Sequence, residues 1–279
     1  MSAQGYYRAL MNRNQNAFPF VYDVEPFQYG LSFARKLKSD YSGNSFQVER
    51  SSDSTNQDIG FSDNLLDESA LTTFVGANNG NIITGYDQAE NGDWTESDAG
   101  KKPLIVSSGT VQKISSFPSA NFNADNHRLK HVVSTNPQPY SLVMVFQQTT
   151  TGLSGNRRFI STTGAGSAYF QLYASNSSGN VVASAGSTQQ LYAENTNYNL
   201  ISIVVNSTSS VVKLNGTTIF TGNLGTFSTP GFNIGRWYLN ATGVLSPYFK
   251  LNELLVYSSD ISSSLSSIEL NVNDFYSIY

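Results

Sequence analysis

The runs Val211-Val212-Lys213-Leu214 and Thr217-Thr218-Ile219-Phe220 flank the dipeptide Asn215-Gly216. A two-residue Asn-Gly connection between β-prone runs is the chemistry of a type I′ turn, because both central residues take positive φ and the turn's twist matches that of the strands. A chain that carries this hairpin contains antiparallel sheet. From residue 104 onward the same theme repeats, with strands expected at Leu104–Val106, Leu142–Phe146, Arg158–Ile160, Tyr169–Tyr173, Val181–Ser184, Leu200–Val205, Phe232–Ile234 and Leu251–Tyr257, separated by Gly, Asn and Ser. Many short strands with polar turns argue for a sandwich or barrel. Long helices do not alternate with the strands, so a parallel α/β fold is excluded.

Three short helices are expected around this sheet. Over 27–41, Leu31, Ala34 and Leu37 fall three apart with Tyr41 a turn later, while Arg35, Lys36 and Lys38 take the other face. Asp67 can cap a second helix that presents Ala70, Leu71, Phe74 and Val75 and stops at Gly76. A third is expected over 263–276, with Leu265, Ile268, Val272 and Phe275 at helical spacing. Phe46 and Val48 alternate with polar neighbours as in a half-buried strand, and Ile82-Ile83 and Tyr86 form a strand that runs into a turn.

Residues 1–25 show neither period and read as an extended N-terminal arm; residues 26–279 form the folded domain. The arm holds Tyr6, Tyr7, Phe18 and Phe20 among Asn and Gln. So many rings in a polar segment suit packing against another subunit better than solution.

Composition narrows the function. Charged residues are 13% of the 279, the net charge is −4, and no basic cluster stands out beyond Arg35-Lys36-Leu37-Lys38. Nucleic acid is therefore not an expected partner, since phosphate binding needs a basic face. No apolar run is long enough for a membrane span, and the opening residues lack the apolar region of a secretory leader. The absence of Cys suits a reducing compartment. The 16 Tyr and 17 Phe suit strands, interfaces and saccharide-binding surfaces.

The stretch Phe33-Ala34-Arg35-Lys36-Leu37-Lys38-Ser39-Asp40-Tyr41-Ser42-Gly43-Asn44, the run from Val48 to Phe61, the Asp67–Gly76 helix and Tyr86-Asp87-Gln88 occur in an order that resembles the opening of arabinofuranosidase B catalytic domains and of related structural proteins of tailed bacteriophages. The hairpin, Asn233-Ile234-Gly235-Arg236 and the segment from Leu251 to Ser262 look like the end of a laminin G or pentraxin-like jelly roll. The resemblance covers roughly 27–110 and 200–279, where the second block is a fold signature only. It implies an antiparallel jelly-roll β-sandwich of the concanavalin A-like lectin type. The chain departs from the enzyme pattern in having Ala89-Glu90 after Tyr86-Asp87-Gln88, no Cys, and no motif that places two catalytic carboxylates.

The chemistry-bearing residues are few. Within 131–250 the single carboxylate is Glu194, whereas glycoside hydrolysis needs two facing carboxyl groups. Glu253 is expected at a sheet edge or interface, with a groove role as the lesser reading. His127 and His131 stand four apart, but weak helical support makes a solvated loop or strand the better reading than a metal pair. Asp63, Asp67 and Glu68 could hold calcium, against the simpler reading of helix capping. No cofactor or other metal is expected. For saccharide binding, Arg236-Trp237-Tyr238-Leu239-Asn240 offers rings beside guanidinium and amide donors; Tyr248 and Trp94 add to the candidates, weighed against plain core packing of Trp237.

The sequence thus leads to the expectation of a non-enzymatic structural component of a tailed-phage particle (head decoration, head fibre or tail protein). It would be assembled in the host cytoplasm, homo-oligomeric, docked to other virion proteins through its arm, and able to bind cell-surface or environmental glycans. The alternative is a carbohydrate-binding module or adhesin, and a third reading is an arabinofuranosidase-like hydrolase.

Overall fold

The computed structural model describes residues 20–162, 170–236 and 248–279. The chain is all-β, with three α-helices and one 3-10 turn among the described residues, as expected for an antiparallel sandwich. Its front sheet runs, strand by paired strand, Asn56–Ile59, Phe46–Arg50, Gly80–Gly85, Trp94–Thr95, Leu129–Asn136, Thr229–Ile234, Arg157–Thr162, Gln171–Ser175, Asn180–Ser184 and Thr188–Ala193. The back sheet runs Thr217–Gly222, Ser210–Leu214, Tyr198–Val205, Tyr140–Gln148 and Phe249–Tyr257; Tyr29–Ser32 and Ala120–Phe122 share the last edge end to end. Strand Leu104–Ser107 pairs with both Gly80–Gly85 and Ala120–Phe122 and so joins the layers along one side.

The expected hairpin is present, with Asn215 at φ 49° and Gly216 at φ 75°, the positive values a type I′ turn requires. Helix Glu68–Val75 is also where the sequence placed it. The Asp67 carboxylate accepts from the Ala70 N–H at 2.9 Å and Gly76 ends it at φ 58°. The capping reading of Asp67 therefore describes its observed role. Glu68 is paired with Lys113 at 2.7 Å rather than with Asp63 or Asp67.

The helix expected over 27–41 does not form. Tyr29–Ser32 is a strand on Phe249–Tyr257, and a run of turns follows it. The three-residue spacing of Leu31, Ala34 and Leu37 has a different cause: Leu31 enters the core between the sheets, while Ala34 and Leu37 enter a second core behind the back sheet. Tyr86-Asp87-Gln88 clamps this irregular segment. The Asp87 carboxylate accepts from the backbone N–H groups of Gly30, Ala89 and Asn91, and Gln88 accepts from the Leu37 N–H at 2.6 Å and donates to the Arg35 carbonyl. Of the expected arm, Tyr6, Tyr7 and Phe18 lie outside the described residues. Phe20 is half-buried, and Val21 in the short helix Val21–Val24 is buried in the second core, so that end of the arm packs on the chain's own body.

The two cores decide which surface is left open. Between the sheets lie Phe46, Trp94, Phe146, Phe159, Phe232, Phe249 and their neighbours. Behind the back sheet, Val143, Val145, Leu200, Val204 and Leu255 are covered by Leu265, Ile268, Val272 and Phe275 of the C-terminal helix Leu265–Tyr276. A sheet with one face against the core and an apolar outer face must bury that face too. Here the back sheet does so under the helix, and the front sheet keeps a polar outer face.

Candidate functional site

The outer face of the front sheet carries one continuous row of polar side chains. The pairing register places Asp58 beside Gln47, then Thr84, Thr95, Lys130, Asn233, Ser161, Gln171, Ser184 and Thr188. In the middle of the row these residues alternate with buried ones, as Asn233 does between Phe232 and Ile234, and Lys130 between Leu129 and His131. Its ends at Asp58 and Thr188 are exposed, whereas Asn233 and Ser161 at its middle are buried. Asn233 is 1% exposed, and among the described residues neither its amide nitrogen nor its amide oxygen has a hydrogen-bond partner. A buried amide left without a partner costs about 1–3 kcal/mol.

On one side of this middle sits a charged cluster. Glu96, whose side chain is 0% exposed, accepts from Arg128 Nε and from the Asp98 N–H, and lies 3.7 Å from Lys130 Nζ. Asp98 is half exposed and contacts both Lys101 and, at 3.4 Å, Arg128; the hydrogen bond from Lys101 holds its carboxyl below the usual range. Asp125, also half exposed, is held by Arg157 at 2.8 Å. Arg236 lies among these groups: burial and then the nearby Arg128 charge lower its pKa, opposed by Asp125 and Glu96. Its backbone carbonyl accepts from Ser161 Oγ at 3.0 Å, so it borders the polar row. On the far side, Arg158 donates to Gln171 at 2.9 Å and lies over the Tyr173 ring.

Of the residues expected to bind saccharide, Arg236 lies at this site. Tyr248 lies beneath the Arg157 guanidinium, 5.3 Å from ring centre to carbon, and so belongs to the same end of the sheet. Trp237, Tyr238 and Asn240 are outside the described residues. Trp94 is not an exposed ring. It is 0% exposed in the core, stacked on His131 with centroids 4.7 Å apart, because its strand position faces inward while Thr95 faces out. The solvated reading of the histidines is likewise corrected. Both are buried, and His131 faces the core, where burial pushes its imidazole down to about 4. Gly92 makes room for it: a Cβ there would stand 2.9 Å from His131 Nε2, at a φ of 145°.

Glu253 is neither at an edge nor in a groove. It sits on the outer face of the back sheet, sealed by the C-terminal helix, and accepts from Arg35 Nε and Nη2 at 2.8 and 2.9 Å and from Tyr276 Oη at 2.9 Å. The carboxylates beside the middle of the open face are Glu96, Asp98 and Asp125, none of which stood among the sequence candidates. They enter from the turns after Trp94–Thr95 and after Ala120–Phe122, outside the stretch 131–250 in which Glu194 is the single carboxylate. The dense run Thr95-Glu96-Ser97-Asp98 after a strand was the available signal.

No family model and no curated protein matches the chain. Among solved structures, a GH54 α-L-arabinofuranosidase soaked with a cyclic sulfate inhibitor aligns with a TM-score of 0.70 at 14% identity, over 91% of this chain and 64% of that one. An arabinofuranosidase complexed with arabinofuranosyl-α-1,2-xylobiose aligns at 0.66 and 15% identity, with the same coverage. The chain shares their β-sandwich fold. It spans about two-thirds of the length of those proteins (64%). Trypanosoma rangeli sialidase with 2,3-difluorosialic acid aligns at 0.51 and 13% identity over 69% of this chain and 31% of that one. The comparison corrects the expectation of a non-enzymatic phage-particle component, because the arabinofuranosidases named above share the fold over nine-tenths of the chain. The expectation of no enzymatic role fails with it; it rested on a lack of carboxylates in the later strands.

Proposed function

We propose that this chain is a glycoside hydrolase that takes its saccharide across the outer face of the front sheet. The observation that carries the reading is the pair of half-exposed carboxylates, Asp98 and Asp125, flanking Arg128 and Arg236 beside a polar row with an unpartnered buried amide. Glycosidic cleavage needs two carboxyl groups with different roles on either side of the scissile bond. Asp98, kept ionised by Lys101, suits the nucleophile or base; Asp125 supplies the second carboxyl. Glu96 is the buried anion that fixes Arg128 and Lys130. The saccharide bound to one of the aligned enzymes makes an arabinofuranoside the first substrate to try.

The test is turnover of aryl glycosides, with α-L-arabinofuranosides first, by the parent protein and by Asp98→Asn and Asp125→Asn. Loss of at least a hundredfold in kcat for either variant, with the fold retained, is expected. Turnover that survives both substitutions removes these carboxylates from the chemistry. Retention of saccharide with no turnover supports the second reading, a carbohydrate-binding module on the same face; it is favoured by the engagement of Asp125 with Arg157.

A further inference from the structure

The surroundings of Asn233 select for charge as well as for hydroxyl groups. Lys130 is its direct cross-strand neighbour on the outer face. Arg236 follows three residues later and is tied to the same row through Ser161. Arg236 Nε is buried and has no hydrogen-bond partner among the described residues. Arg128 stands close enough to Arg236 for the two charges to repel. The anion enclosed among them, Glu96, is buried and already bonded to Arg128 and the Asp98 N–H. The middle of the face therefore presents more cationic donors than its own carboxylates satisfy, in a chain whose net charge is −4. Desolvated donors left unmade are costly, and a ligand oxyanion takes charge-assisted hydrogen bonds from them more strongly than a neutral hydroxyl does.

Resting on the reading of this face as the saccharide site, we infer that the saccharide it takes carries an anionic group, a ring carboxylate or a sulfate, seated against Arg236, Asn233 and Lys130. The guanidinium Nε–H and the amide Nδ2–H donate to the oxyanion, and the Asn233 amide oxygen is left to accept from a neighbouring sugar hydroxyl. Lys130 adds attraction from the side that faces solvent. A neutral saccharide would fill the same row and leave the Arg236 donor unmade.

The experiment is calorimetric titration of the full chain with an oligogalacturonate, its fully methyl-esterified form, a sulfated oligosaccharide and a neutral arabino-oligosaccharide. The ester keeps the backbone of the acid and removes only its charge. The expected result is at least tenfold tighter binding of the acid than of the ester at low salt, a preference that shrinks as salt is raised and disappears in Arg236→Gln. Asn233→Ala is expected to weaken the acid with no loss of thermal stability, since it deletes a buried amide that has no partner. Tight, Arg236-dependent binding of the sulfated sugar alone keeps the anionic class and assigns the group as sulfate. Equal binding of acid and ester, or binding of the neutral sugar alone, overturns this inference and leaves the proposed function standing. If no saccharide binds and none is turned over, both fall together.

Discussion

On the back sheet, Glu253 accepts both hydrogen bonds of the Arg35 fork and a third from Tyr276, and Arg35 also donates to Asn271 at 3.1 Å and lies over the Phe275 ring. On the front sheet, Glu96 meets Arg128 and Lys130, with Asp98 beside it and Arg236 near. Both centres pair a fully buried glutamate with a buried arginine. The first is closed: a helix covers it, and Arg35 and Glu253 meet each other's needs within the chain. The second has half-exposed carboxylates at its rim and buried donors that no described residue satisfies. A buried ion pair is therefore not by itself a sign of function; what distinguishes the two is whether the polar groups around the pair are complete without a ligand.

The sharpest way to break this comparison is to make the same isosteric change in each centre. Glu253→Gln leaves the Arg35 charge uncompensated under the C-terminal helix and is expected to cost about 3–5 kcal/mol, read as a fall in the denaturant midpoint. Saccharide binding by the native fraction should not change. A cost under 1 kcal/mol would mean that the closed centre is not the structural anchor described here.

The next effect lies beneath the open face. His131 has its pKa lowered by burial from 6.5 to about 4, with the Gly92 backbone opposing the shift. A depressed base gives stability that is present above about 6.5 and lost as pH falls toward 4. Buried Asp87, raised by desolvation to about 6 against its three backbone hydrogen bonds, acts in the opposite sense and loses stability as pH rises through that value. The variant His131→Phe keeps the Asp87 contribution and removes the other. Its stability relative to the parent should improve as pH falls from 6.5 to 4, by up to about 3 kcal/mol, measured by urea unfolding across that range. A difference independent of pH would show that the imidazole does not stay neutral in the core.

The smallest effect is expected from Glu96→Gln. Arg128 keeps its contact with Asp98, and Lys130 reaches solvent, so the cost should be about 1–3 kcal/mol, below that of Glu253→Gln. The change also removes an anion from the site, so affinity for an acidic saccharide should rise severalfold. If Glu96→Gln proves as destabilising as Glu253→Gln, the open centre is structural and the distinction between the two collapses.

Local signals were legible. Asn215-Gly216 fixed a hairpin because its turn chemistry resides in two adjacent residues, and Asp67 and Gly76 marked a helix because capping acts within one turn. The C-terminal helix showed its apolar stripe for the same reason. The 27–41 segment misled because Leu31 and Leu37 answer to different cores, and spacing along the chain cannot report that. Trp94 and Glu253 were misplaced because a period of two separates a strand's faces without saying which face is covered. Arg236 was singled out for its chemistry, whereas Glu96, Arg128 and Lys130 were not, because each gains meaning only from the others.

The sequence by itself determined that this chain makes antiparallel sheet, where its best-marked turn and helices lie, and that it has little basic surface to spare. Tertiary structure alone decided that the C-terminal helix seals the back sheet, that the front sheet keeps a polar face across ten paired strands, and which charges meet on it. The reason is physical. Turns and caps are settled by neighbours in the chain, while an open face and an ion pair are settled by register and layer packing between residues far apart in sequence, as Arg35 and Glu253 are.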